Sequence, residues 1–127
     1  MKINHIALYV NDLEKTRDFF QKYFCAVSNE KYHNQRTGFE SYFLSFSDGC
    51  RLEIMTKPDL TDSEDFLNRF GYAHIAFSVG SKETVEQLTL RLKEDGYPVV
   101  SGPRTTGDGY YESVILATEG NLVEITV

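Results

Sequence analysis

Two histidines and two glutamates stand at matched places in this chain. His5 opens His5-Ile6-Ala7-Leu8-Tyr9-Val10, and His74 opens His74-Ile75-Ala76-Phe77-Ser78-Val79. Glu53 is the centre of Arg51-Leu52-Glu53-Ile54-Met55, and Glu124 of Leu122-Val123-Glu124-Ile125-Thr126. The offsets nearly agree: 74 − 5 = 69 between the histidines and 124 − 53 = 71 between the glutamates. Imidazole nitrogens and carboxylate oxygens are the donors that divalent cations take. Two carboxylates gathered without a counter-charge would be driven to protonate, and a divalent ion removes that cost. A set of two nitrogens and two oxygens suits one divalent ion per site, Ni2+, Zn2+, Co2+, Mn2+ or Fe2+, with room left for water or substrate.

The elements that must present these four residues follow from period. In residues 3–10 the apolar Ile6, Leu8 and Val10 alternate with His5, Ala7 and Tyr9, as in a strand with one covered face. Asp12 is the expected cap of a helix reaching about Phe24, with Leu13, Thr16, Phe20, Tyr23 and Phe24 as its apolar stripe. Residues 26–34 and 38–47 read as strands. Asp48-Gly49 turns the chain into residues 50–55, where Leu52 and Ile54 face away from Glu53. The second half repeats the order. Ile75, Phe77 and Val79 oppose His74 and Ala76, and Ser81 caps a helix carrying Val85, Leu88 and Leu92. Gly96 and Pro98 end that helix. A short strand is expected at Val99-Val100, then strands near 111–117 and 121–127 around Glu119-Gly120-Asn121. Both histidines and both glutamates thereby fall on the side away from their helix, and the small Ala7 and Ala76 leave space beside them.

The fold expected is α+β: two βαβββ modules with mixed sheets forming an open metal-binding cup, helices on the outside. Module 1 covers about residues 1–56 and module 2 about 71–127 of a single domain. The connector, 57–70, has a short helix near 63–69. A net charge of −6 opposes binding to nucleic acid or an anionic membrane. No apolar run has the length of a membrane span, and the opening residues lack a signal stretch, so a cytoplasmic protein is expected. Cys25 and Cys50 lack ligand spacing and read as reduced, partly buried thiols. His33 has no counterpart in the repeat and reads as a solvated strand residue.

Over its whole length the chain resembles the glyoxalase/bleomycin-resistance/dioxygenase group, the vicinal oxygen chelate superfamily. The motifs that carry the resemblance are His5-Ile6-Ala7-Leu8-Tyr9-Val10-Asn11-Asp12, Leu52-Glu53-Ile54, His74-Ile75-Ala76-Phe77-Ser78-Val79 and Glu119-Gly120-Asn121-Leu122-Val123-Glu124-Ile125. It implies His5, Glu53, His74 and Glu124 as metal ligands, and the full set of four is most similar to that of bacterial glyoxalase I, lactoylglutathione lyase. The activity so implied is a lyase or isomerase reaction on an α-oxo compound or its glutathione hemithioacetal, through a metal-stabilised enediolate. Glu124 is the first choice as its base and Glu53 the second. The resemblance also implies a homodimer, with each site within one chain or shared between two. The alternatives are another metal-dependent member, such as an epimerase, dioxygenase or thiol transferase, or a ligand-sequestering protein without catalysis.

Two positions depart from the glyoxalase I pattern. Tyr9 stands where that enzyme has an arginine for a glutathione carboxylate, and Lys57 where it often has asparagine. Arg69 reads as a compensating carboxylate binder or as a surface arginine. The glycine-rich stretch 101–111 reads as a rim over the cup, with Arg104 and Tyr110 touching substrate. Its other reading is an ordinary connection with Tyr110 packed on the core.

Overall fold

The computed structural model describes residues 4–60, 73–107 and 109–127. The chain falls into two compact units, Met1–Asp62 and Ser63–Val127. The connector helix expected near 63–69, and Arg69 with it, lies outside the described residues.

In the first unit β1 (Ile6–Tyr9) leads into α1 (Leu13–Phe24), then β2 (Val27–Ser28), β3 (Tyr32–His33), β4 (Glu40–Ser45) and β5 (Arg51–Thr56). The sheet order is β1-β5-β4-β2, with β3 also paired to β4. β1 runs parallel to β5 and the other pairs are antiparallel, so the sheet is mixed. In the second unit β6 (Ile75–Ser78), α2 (Lys82–Glu94), β7 (Val99–Thr105), β8 (Tyr111–Leu116) and β9 (Leu122–Thr126) give the order β6-β9-β8-β7. β6 again runs parallel to β9. The expected α+β architecture with two mixed sheets is present, and each sheet is open.

Each helix forms where its cap and stripe dictate. Asp12 accepts a hydrogen bond from the Lys15 amide at 2.9 Å, and Ser81 accepts one from Thr84 at 3.2 Å. Leu13, Thr16, Phe19, Phe20 and Tyr23 bury one side of α1 against β4 and β5. The α2 side is Val85, Thr89 and Leu92, with Leu88 only half-buried. Thr89 takes the place expected of an apolar residue because its hydroxyl is satisfied twice, 2.6 Å from the Val85 carbonyl and 2.6 Å from Ser113 Oγ. Past α2, Gly96 at φ +92° allows the Tyr97 amide to reach back to the Leu92 carbonyl at 2.9 Å. Replacing Asp12 by alanine should cost about 0.5–2 kcal/mol in urea unfolding, with Asp12→Ser restoring most of it. No loss would mean that the Lys15 amide finds solvent equally well.

Several expectations are corrected. The strand expected over 26–34 is two pieces, because Asn29 inserts its side chain: the Phe43 amide donates to Asn29 Oδ1 at 2.7 Å. β7 continues through Gly102 and Pro103, which the sequence assigned to a loop. Two things permit this. β7 is an edge strand, where the missing proline N–H costs no ladder bond, and the register shifts on either side of Ser101 absorb the irregular backbone. Gly102 sits at φ +79°, and a Cβ there would collide with the Glu112 carbonyl. Cys25 and Cys50 are free as expected but exposed, one in the left-handed residue that ends α1 and the other in the β4–β5 turn. Ile6 is 39% exposed, because β1 is an edge strand whose cover begins only at Val10. Phe24 is half-buried, its stripe place taken by Phe19.

Among the described residues no helix is long and apolar enough to cross a membrane.

Candidate metal centre

The parallel pairings set each glutamate beside its histidine. Ala7 is in register with Glu53 and Ala76 with Glu124. Each histidine lies two residues before its alanine and so shares that side of the sheet. His5 Nε2 is 3.7 Å from Glu53 Oε2, and His74 Nε2 is 3.3 Å from Glu124 Oε2. Leu52, Ile54, Val123 and Ile125, which alternate with the glutamates, are buried on the helix side. The two pairs match in exposure as well: the glutamate side chains are each 16% exposed and the histidines 37% and 40%. The alanines keep the carboxylates reachable, since a larger side chain in register would lie over them.

Each pair offers the donor types and the spacing that a divalent ion takes. A nitrogen and an oxygen 3.3–3.7 Å apart are at the spacing of neighbouring ligands on an ion bound at about 2.0–2.2 Å from each. Within either unit, no three His, Cys, Asp or Glu side chains among the described residues gather about one point. Each unit holds one such histidine–glutamate pair.

Other residues singled out from the sequence fall as follows. In the first unit the register places Tyr9, Met55, Ser41 and Tyr32 in one row across the sheet, on the Glu53 side. Lys57 Nζ lies 5.1 Å from the centre of the Tyr9 ring. Beside them Tyr32, Asn34, Thr37, Phe39, Lys57, Pro58 and Asp59 line a hollow of about 620 Å3. In the second unit Arg104, Glu112, Thr126 and Ser78 form a comparable row on the Glu124 side. Arg104 is engaged there, 3.9 Å from Glu112 and donating to Ser101 Oγ at 3.0 Å. Tyr110 is 58% exposed, so the reading that packed it on the core is corrected. His33 is exposed on β3, as expected of a solvated residue.

A polar cluster that sequence reasoning missed occupies the helix side of the first sheet. Tyr42 Oη donates to Glu14 at 2.9 Å and accepts from Arg17 at 3.0 Å, while Lys31 reaches Glu14 at 2.8 Å. The hydrogen bond from Lys31 holds the Glu14 carboxyl below its ordinary range, and burial raises the Tyr42 phenol. These contacts span α1, β4 and the β2–β3 segment, and no local spacing announces them. Their place between helix and sheet makes them a brace for α1.

The chain is 29% identical over 116 residues to the uncharacterized protein YqjT of Bacillus subtilis, covering 86% of this chain and 85% of that one. A structure of a possible glyoxalase from Bacillus cereus superposes with a TM-score of 0.71 at 26% identity, covering 100% of this chain and 99% of the other. The fosfomycin resistance protein FosX of Listeria monocytogenes, solved with Mn(II) and sulfate, gives 0.73 at 25% identity, covering 99% and 91%. The family model described as Glyoxalase/Bleomycin resistance protein/Dioxygenase superfamily matches residues 2–125, and with both units built on the same strand–helix–strand plan the chain belongs to that superfamily.

Proposed function

We propose that His5, Glu53, His74 and Glu124 together hold one divalent metal ion and that the protein is a metal-dependent lyase or isomerase of glyoxalase I type. The observation that carries this reading is the repeated register, in which each glutamate lies opposite an alanine and within 3.7 Å of an imidazole nitrogen. An isolated histidine–glutamate contact is an ordinary ion pair. Two of them, at equivalent strand positions and beside equivalent small residues, support one duplicated purpose.

When bound, the ion supplies Lewis acidity, polarising a substrate carbonyl so that the adjacent carbon loses its proton more readily. The protein's own residues do the rest. Glu124 takes the proton from the carbon beside the carbonyl and returns it to the former carbonyl carbon, while the hydroxyl proton passes to the former carbonyl oxygen, so that a hemithioacetal becomes a thioester of a 2-hydroxy acid with no net oxidation. Glu53 and the two imidazoles keep the donor set intact while Glu124 is engaged with the proton. In a homodimer the same donor set is supplied by the pairs of two copies.

A second reading concerns the substrate. Tyr9 replaces the arginine that the glyoxalase I pattern uses for a glutathione carboxylate, and Lys57, where that pattern often has asparagine, presents a cation at a hollow with two aromatic rings. FosX, similar over nearly the whole chain, was solved with Mn(II) and sulfate. Both favour a compact anionic substrate in place of a glutathione adduct.

The test is metal analysis of chelator-stripped and reloaded protein, joined to isomerisation of the methylglyoxal–glutathione hemithioacetal with Ni2+, Zn2+ and Mn2+. Uptake of about one ion per donor set with turnover supports the first reading. Uptake without turnover transfers support to the second. A protein that takes up no divalent ion sinks both.

A further inference from the structure

His5 differs from His74 in what surrounds it. Asn4 Oδ1 lies 2.9 Å from His5 Nδ1, and Arg51 Nη2 donates to that same oxygen. The Arg51 guanidinium lies over the Phe43 ring, 4.8 Å from its centre. The His5 ring meets the same phenyl edge-on, at 5.3 Å and 89°. Phe43 is also the β4 residue in register with Glu53. Asn4, Arg51 and Phe43 therefore surround the Nδ1 side of one imidazole whose other nitrogen faces the carboxylate.

Elementary donor accounting fixes the proton. A guanidinium offers only N–H groups, so the Asn4 atom it meets is the oxygen. The nitrogen of His5 that meets the same oxygen must then be a donor. A neutral imidazole has one N–H; placed on Nδ1, it leaves the lone pair on Nε2, the nitrogen 3.7 Å from Glu53. Among the described residues the second unit has no such arrangement. Ala73 precedes His74, Leu122 stands two residues before Glu124, and Val114 is in register with Glu124. None of the three carries an amide, a guanidinium or a ring.

We infer that Asn4, Arg51 and Phe43 are positioning residues that lock neutral His5 in its Nδ1–H form, making the first module a preset half of the site and the second an adaptable one. This rests on the metal reading proposed above for the role of Nε2, although the lock itself exists without metal. Partners of this kind behind a ligating histidine fix its tautomer and are worth about 10–100-fold in metal affinity.

The experiment is long-range 15N–1H NMR of the imidazoles in the metal-free full-length chain, at a pH where all three histidines are neutral, with exposed His33 as internal reference. His5 is expected as the Nδ1–H form alone, and His74 and His33 as mixtures. Asn4→Ala should return His5 to a mixture and weaken Zn2+ binding about 10–100-fold in calorimetry. Asn4→Asp, whose carboxylate accepts from both neighbours, should keep the tautomer and the affinity. Amide spectra of the exposed Asn4 variants report that the fold is kept. A His5 that is already a mixture in the wild type, or one that Asn4→Ala leaves unchanged, overturns the inference. A locked His5 in a chain that takes up no metal supports the lock and overturns the function proposed above. Metal uptake with an unlocked His5 does the reverse.

Discussion

Glu124→Gln is expected to lower turnover about 100- to 10,000-fold while leaving most of the bound metal in place. The amide of glutamine keeps the shape of the side chain and one oxygen toward His74, but it has no basic lone pair with which to accept a carbon-bound proton. Glu124 is held in register with Ala76 on β9, with most of its side chain buried and His74 Nε2 3.3 Å away. Its carbonyl analogue should therefore sit in the same place. The expected pattern is a large fall in kcat with a small change in KM, the mark of an interaction made in the transition state. Glu53→Gln is the companion measurement: the same isosteric change in the other half-set should weaken metal retention more than it weakens turnover at saturating metal. Metal content by emission spectroscopy and steady-state kinetics on the same preparations separate the two effects. If Glu53→Gln stops turnover and Glu124→Gln does not, the base is Glu53. If neither does, the proton passes through a group outside these pairs.

How far the sequence discloses such a site depends on which distances period controls. Strand alternation has period two, so Glu53 had to lie opposite Leu52 and Ile54, and the repeat made the same hold for Glu124. That logic needs no tertiary knowledge, and the faces it assigns are the ones the burial of Leu52, Ile54, Val123 and Ile125 shows. The pairing of each histidine with its own glutamate needs the parallel β1–β5 and β6–β9 registers, and these join residues far apart in the chain. The neighbours of His5 stayed hidden for the same reason. Asn4 and Arg51 are 47 residues apart and meet only through that register, although Asn4 beside a candidate ligand and Arg51 two residues before another were signals within reach. β7 was misread for a different cause: glycine and proline mark a break in any local reading, and only the edge position and the bulges explain a strand passing through them. Cys25 is exposed as the left-handed residue that ends α1, a place the apolar residues around it do not reveal.

Ile125→Ala should be strongly destabilising while leaving the donor set untouched, at about 2–5 kcal/mol by urea unfolding. Ile125 is fully buried and follows Glu124 directly on β9, so the two side chains lie on opposite sides of one strand. Truncation removes buried methyl and methylene groups and leaves a void on the helix side. Against a typical stability of about 5–15 kcal/mol this is a large fraction, whereas Ile125→Val should cost only about 0.5–1.5 kcal/mol. Ile54→Ala in the first unit is the matched control, since Ile54 is equally buried and follows Glu53 in the same way. Because alternation keeps Glu124 on its own side whatever occupies position 125, Ile125→Val should retain wild-type Zn2+ affinity, and Ile125→Ala should retain it in the fraction that stays folded. Calorimetry below the unfolding transition reads this directly. Loss of metal affinity with stability unchanged in Ile125→Val would mean that the carboxylate and the isoleucine share a face, and the strand assignment on which both His–Glu pairs depend would fail with it.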